Sequence, residues 1–322
     1  MATPTALIDA VWGHLIFFGS DSDPLNIYIV DAKCLKVRWK CEKEWTKLTN
    51  VGAHKTADNF TPHLMGDFAP APDGKQVAFA VAAEGSGYSG TSDIYVIDVD
   101  LCTRTPGGCV LEQLRRLTHN DVYDGNPAWS PNGDWIVFET WRNHKRLLYK
   151  IRPDGADEQP FLTEEVTREV GDTVDAPVWS PDGSRLAFSM WDQAELGSVS
   201  SIVVVDKDGA NLRMLLPAPK ETGIGDTLLQ RALAWSPDGR LMLVSTYTDS
   251  NWDDNAVMNA DGTNIRKLPS EIDLLTWLPD SQHVLFSCYN DEGPIGTCIM
   301  NINTGETDQI GSKRWFGAKW MP

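Results

Sequence analysis

Along this chain, short apolar runs alternate with polar turns at the spacing of β-hairpins rather than of helices. Ile94-Tyr95-Val96-Ile97, Leu147-Leu148-Tyr149, Ile202-Val203-Val204-Val205 and Cys298-Ile299-Met300 are of strand length. Turn residues, chiefly Asp, Asn, Gly and Pro, punctuate the chain between such runs. Leu15-Ile16-Phe17-Phe18 is another strand. No apolar run approaches the roughly 18 residues a membrane-spanning helix needs.

One turn recurs and sets the organisation. Trp129-Ser130-Pro131-Asn132-Gly133 precedes the β run Trp135-Ile136-Val137-Phe138. Trp179-Ser180-Pro181-Asp182-Gly183 precedes Arg185-Leu186-Ala187-Phe188. Trp235-Ser236-Pro237-Asp238-Gly239 precedes Arg240-Leu241-Met242-Leu243-Val244. Two copies are degenerate, Pro70-Ala71-Pro72-Asp73-Gly74 and Trp277-Leu278-Pro279-Asp280-Ser281. The turn Asp or Asn falls at 73, 132, 182, 238 and 280, at intervals of 59, 50, 56 and 42 residues. Pro ends the first strand because it cannot donate to a ladder, and Asp-Gly reverses the chain. The next run is apolar on both faces, as a strand covered on both sides must be. A third strand, a second turn such as Pro153-Asp154-Gly155 or Lys207-Asp208-Gly209, and a short outer strand such as Arg116-Leu117-Thr118 or Phe161-Leu162-Thr163 complete each unit. Four antiparallel strands in a repeat make a propeller blade.

The two ends complete the count. His14–Phe18, Ile27–Val30 and Trp45–Thr49 supply strands two to four of a first blade without its innermost strand, and Gly317-Ala318-Lys319-Trp320-Met321-Pro322 has the Trp and Pro of the missing one. The expectation is one propeller over residues 1–322. Blade 1 spans about 12–50 plus 315–322, blade 2 about 60–119 and blade 3 about 121–164. Blade 4 spans about 170–217, blade 5 about 226–269 and blade 6 about 271–312.

The block Pro127-Ala128-Trp129-Ser130-Pro131-Asn132-Gly133, the β runs after it, the Asp-Gly turn and the Leu-Thr ending resemble the TolB-like propeller family, over roughly residues 12 to 322. The resemblance implies an all-β fold: six four-stranded antiparallel blades, closed by the C-terminal strand pairing into blade 1. The α-helical N-terminal domain of TolB has no counterpart here. Such blades serve periplasmic scaffolds, sensor ectodomains, peptidase-associated propellers and polysaccharide lyases, so the fold does not choose among these functions.

Charge and cysteines narrow the setting. With 45 acidic and 28 basic residues the net charge is −17, which argues against nucleic acid as a partner. Cys34 and Cys41, Cys102 and Cys109, and Cys288 and Cys298 are close pairs, none spaced as a zinc knuckle or a redox motif. Three local disulfides are one reading, free buried thiols the other. The first places the protein in the periplasm, at the cell surface or outside the cell. Met1–Ala10 lacks the basic start of an export signal, so that reading needs a signal or anchor outside this sequence.

The candidate chemistry is sparse. No Gly-x-Ser-x-Gly elbow, phosphate loop or His-Glu-x-x-His motif occurs. The oxygen-rich run containing Asp249, Asp253 and Asp254 could ligate calcium or form a solvated hairpin turn; no other cofactor is expected. Residues just before each innermost strand should ring one mouth of the channel: Asp67, Asp124, Asn126, Asp175, Arg231, Asp273, Trp315 and Phe316. They offer a socket for a peptide or a cation, or else cap strands and hold channel water. Trp141, Trp191 and Trp252 follow second strands and could line a rim. The function expected is a non-catalytic binding or scaffold module with a protein or peptide partner. A carbohydrate-active lyase or hydrolase using the acidic mouth, and a purely structural module of a surface assembly, are the alternatives.

Overall fold

The computed structural model describes residues 13–19, 26–36, 44–53, 63–82, 91–170, 173–194, 197–217, 228–248, 251–269, 273–290, 293–312 and 316–321. In it the Trp-Ser-Pro-Asp-Gly turn is a self-contained hydrogen-bonded unit. The amide of Ser180 donates to the Arg185 carbonyl (2.9 Å) and the amide of Gly183 to the Ser180 carbonyl (2.9 Å). The Ser180 hydroxyl donates to Asp182 Oδ1 (2.6 Å) and accepts from the Arg185 amide (3.0 Å). Asp182 Oδ1 also accepts from the Ser184 amide (3.0 Å). Gly183 has φ of 67°, a left-handed conformation open to glycine. The bonds from Ser180 and Ser184 hold the Asp182 carboxyl down at about 2. The same bonds recur around Ser236 and Asp238.

Blade 3 has Asn132 at that position, and the reason is next to it. Asn132 Nδ2 donates to Asp134 Oδ2 at 2.7 Å, while its Oδ1 accepts from the Ser130 hydroxyl. Asn132→Asp would set two carboxylates against each other. It is expected to lower stability by about 0.5–1 kcal/mol at neutral pH. The deficit should fade in urea titrations run below the carboxylate range; a variant equal to the parent at pH 7 would overturn this account.

These turns join strands into six blades. Blade 1 holds β1 (His14–Gly19), β2 (Asn26–Asp31) and β3 (Thr46–Lys47). Blade 2 holds β4 (Leu64–Pro70), β5 (Gln76–Ala82), β6 (Ser92–Asp98) and β7 (Arg115–Arg116). Blade 3 holds β8 (Asp124–Trp129), β9 (Ile136–Arg142), β10 (Lys145–Ile151) and β11 (Gln159–Pro160). Blade 4 holds β12 (Val174–Trp179), β13 (Arg185–Ala194), β14 (Gly197–Asp206) and β15 (Arg213–Leu216). Blade 5 holds β16 (Leu228–Trp235), β17 (Leu241–Thr248), β18 (Asn251–Asn259) and β19 (Arg266–Lys267). Blade 6 holds β20 (Asp273–Trp277), β21 (His283–Asn290), β22 (Gly293–Asn301) and β23 (Thr307–Gly311). β24 (Phe316–Met321) pairs antiparallel with β1 and is the innermost strand of blade 1. Single parallel bridges, Ser92 to Tyr123, Arg146 to Thr173 and Val199 to Leu228, tie a third strand to the start of the next blade.

The core is the set of interfaces between blades. Ile16 and Phe18 of blade 1 meet Phe68, Val77 and Phe79 of blade 2. Ala78 and Val96 of blade 2 meet Ile136 and Phe138 of blade 3, and Val137 and Leu148 meet Leu186 and Phe188 of blade 4. The series runs on through blades 4, 5 and 6 and returns to Leu15 and Phe17 of blade 1. The repeat tryptophans stitch these interfaces. The indole N–H of Trp179 donates to the Ala128 carbonyl, that of Trp235 to Val178 and that of Trp277 to Ala234, each at 3.3 Å on the preceding blade. The Leu-Thr ending has a similar logic. Leu117 donates its amide to the Ile94 carbonyl, while Thr118 Oγ1 accepts the Ile94 amide, so one residue of the third strand is held from both sides.

Among the described residues, two α-helices depart from the strand pattern. α1 (Val99–Arg104) follows β6, its N-terminus capped by Asp98, which accepts from the Leu101 amide at 2.8 Å. α2 (Glu164–Val170) follows β11, and Thr163, expected in an outer strand, instead accepts from the Val166 amide at 3.4 Å at the start of the helix. Disulfides join Cys102 to Cys109 and Cys288 to Cys298. Cys34 is disulfide-bonded too, and Cys41, its expected partner, lies outside the described residues.

Candidate functional site

The innermost strands share a device that shapes the channel. Each carries a bulge where its pairing register shifts: between Met65 and Phe68, Gly125 and Ala128, Asp175 and Val178, Ala232 and Ala234, Leu274 and Thr276, and Phe316 and Lys319. At the bulge, Gly66 (φ 65°), Asn126 (φ 44°) and Ala176 (φ 53°) take left-handed backbone, as does Gly317 (φ 56°) on β24. Such a conformation is costly for alanine and for most residues that carry a β-carbon. The bulge re-aims the residues around it.

A buried network explains how the alanine is held. Glu139, on β9, is fully buried, and its Oε1 accepts from the Ala176 amide (2.6 Å) and from Asn126 Nδ2 (2.9 Å). Asn126 Oδ1 in turn accepts from the Asp67 amide (2.9 Å). One carboxyl oxygen thus links the bulges of blades 3 and 4, and one side-chain amide extends the link to blade 2. Arg146 Nη1 reaches Asp175 Oδ2 at 3.4 Å beside this network. Burial, reinforced by the neighbouring Asp175 carboxylate, pushes the Glu139 carboxyl up to about 7. Burial likewise raises the Tyr123 phenol far above its usual range.

The cavity these strands enclose has a volume of about 800 Å³. Asp67, Asn126, Arg231 and Lys319 contribute its polar side chains; Phe68, Pro127, Pro177, Trp129, Trp179 and Trp235 are among the residues that complete the lining. Lys319 on β24 pairs with Asp67 at 2.7 Å, so one of the charges there is answered by the neighbouring blade.

The residues expected at the mouth are therefore divided. Asp67, Asn126 and Arg231 come together on the channel cavity. Asp124 and Asp175 turn away from it into buried positions. Asp124 accepts from Asn120 Nδ2 (2.8 Å), and burial raises its pKa. Asp273 and Phe316 begin β20 and β24, with side chains outside the description, and Trp315 lies outside the described residues. Asp249 also lies outside them. Asp253 and Asp254 fall on the strand β18, where Asp254 pairs with Thr246, rather than in a hairpin turn, and their side chains are not described. Among the rim tryptophans, Trp141 is exposed with the Arg146 guanidinium over its ring, Trp191 is half-buried and Trp252 has no described side chain. Glu139 was not singled out from sequence. Its signal was a charged residue in a register position filled by Ala80, Ser189, Ser245 and Ser287 in blades 2, 4, 5 and 6.

Comparison with known proteins decides the family. A model of the lipoprotein LpqB β-propeller domain matches residues 46–276, well over half the chain. The chain belongs to the LpqB β-propeller family. Among relatives of this LpqB-type propeller, the uncharacterised protein Atu1656 of Agrobacterium fabrum is 27% identical over 190 residues, 56% of either chain. The Tol-Pal system protein TolB of Gluconobacter oxydans is 34% identical over 116 residues, 35% of this chain and 22% of that protein. The LpqB-type chain thus matches about half of the first of these relatives and about a fifth of the second. Among solved structures, TolB from Acinetobacter baumannii superposes with a TM-score of 0.64 at 13% identity, covering 96% of this chain and 67% of that one. That likeness establishes the TolB-like propeller fold.

Proposed function

We propose that this propeller is a non-catalytic, extracytoplasmic binding module that receives a segment of a partner protein in its channel mouth. The observation that carries the reading is the cavity itself. It is shaped by bulges on consecutive innermost strands, and its lining mixes prolines and indoles with a few polar groups. Backbone-rich concave walls of mixed polarity, in which prolines and tryptophans stand beside charges of both signs, suit an extended peptide better than a cation. The acids that a metal or a glycosidic bond would call on, Asp124, Asp175 and Glu139, are buried, and each engages a neighbour through one carboxyl oxygen. The disulfides suit an oxidising compartment. The family is named for a lipoprotein, and three relatives are named as Tol-Pal system proteins, which fits an envelope setting.

Site-specific photo-crosslinking in an envelope preparation tests this. A photoreactive residue replacing Asp67, on the cavity, should capture one discrete protein adduct. The same residue replacing Met214, exposed on the outer strand β15, should not. Equal capture from both positions, or none from Asp67, would remove the channel mouth as the binding site.

A further inference from the structure

We propose that Glu139 is the positioning residue of the channel mouth: its buried carboxyl sets the bulges of three consecutive blades, so that the shape of the mouth follows the state of this one group. The inference rests on the proposed binding role of the mouth, and adds to it a means of control.

The geometry is specific. The equivalent position of the other blades carries a small or apolar residue, Ala80, Ser189, Ser245 and Ser287 among them. Blade 3 alone among these has a carboxyl long enough to cross the blade interface. Its Oε1 takes the amide of Ala176, a residue that adopts φ of 53° without the freedom of glycine. The same oxygen takes Asn126 Nδ2, and Asn126 Oδ1 takes the Asp67 amide. A β-carbon on Gly66 would lie 2.4 Å from Asn126 Oδ1, so that residue fits the amide only as glycine. Sequence, backbone strain and hydrogen bonds agree on one arrangement, and Glu139 is at its centre.

The other oxygen, Glu139 Oε2, is buried and has no hydrogen-bond partner among the described residues. A buried carboxylate with an unsatisfied oxygen is costly, and protonation relieves that cost. The charged and titratable groups around it come from four elements: Asp175 on β12, Arg146 on β10, Arg231 on β16 and Tyr123 just before β8. Asp175 and burial favour the protonated form; Arg146, Arg231 and the Ala176 amide favour the ionised one. The balance places the change near neutral pH, where an envelope compartment can move it. When Glu139 ionises, its grip on the two donors strengthens, because a charge-assisted bond is roughly twice as strong as a neutral one.

The test needs no partner, so its failure is distinct from failure of the binding role. Amide resonances of Ala176 and Asp67 and the side-chain amide of Asn126 are followed from pH 5 to 9 by NMR of the whole protein. All three are expected to move together with one midpoint near 7. Glu139→Gln keeps an acceptor for both donors. It should hold the resonances at a single position over the same range, with the Ala176 amide exchanging within about twofold of the parent. Glu139→Leu removes the acceptor, and the Ala176 amide should exchange at least about tenfold faster. Should the leucine variant fail to fold, the glutamine variant decides alone. Three resonances that move independently, or that still titrate in Glu139→Gln, would overturn the proposal.

Discussion

Removing residues 316–322 should cost about 5 kcal/mol of stability, the largest loss any short deletion here can cause. β24 is the inner partner of β1, with His14 opposite Met321, Leu15 opposite Trp320 and Ile16 opposite Lys319. Without it, β1 becomes an unpaired inner edge, and unpaired edges recruit other chains. The strand also joins two interfaces at once. Met321 is buried against blade 2, and Ala318 is buried in the cluster shared by blades 6 and 1. Lys319 reaches past its own blade to Asp67 of blade 2. A deficit near 5 kcal/mol is the whole stability of many domains. The expected result is a chain that elutes as aggregates and unfolds at much lower urea. A truncated monomer with the parent's urea midpoint would mean that side-chain contacts between blades close the ring without the strand.

The fold was legible because each residue of its signature has a local task. Ser180 and Asp182 make the turn bonds, Gly183 takes the left-handed conformation, and Trp179 donates to the preceding blade. Residues tied to fixed local geometry recur at readable intervals. α1 and α2 were not legible because they are short and begin at Asp98 and Thr163, which serve equally as turn residues. The channel mouth was half legible, and the bulges show why. Two residues, Asn126 and Pro127, lie where the register shifts opposite Phe138, so counting back from Trp129 by alternation loses its phase before it reaches Asp124. Asp67, Asn126 and Arg231 were found on the channel, whereas Asp124 and Asp175 are buried away from it. Glu139 was missed because its strand reads as an ordinary buried run, and only comparison of the repeats marks it as unlike its counterparts.

Phe188→Ala should destabilise the propeller by about 3–5 kcal/mol, second only to loss of the closing strand. The argument comes from the repeat. Phe17, Phe79, Phe138, Phe188 and Phe286 occupy one register position on the second strands of five blades, and each is almost wholly buried. Blade 5 has Val244 there. The ring faces the neighbouring blade, so truncation opens a cavity between blades rather than inside one. Phe188 shares its cluster with Val137 and Leu148 of blade 3 and with Val166 and Val170 of α2, which packs over that interface. Neighbours on rigid strands relax little into a void, so the cost includes a cavity contribution beyond the lost transfer energy. A thermal midpoint lower by about 4–7 °C is expected for a chain of this size. Phe188→Leu should recover more than half of the loss, because it refills most of the volume. Protease cutting within α2 should rise in the alanine variant while the disulfide-bonded segment Cys102–Cys109, two interfaces away, stays protected. Equal loosening of both segments would show that the blades unfold as one unit, and that the interface clusters do not act as separate sources of stability.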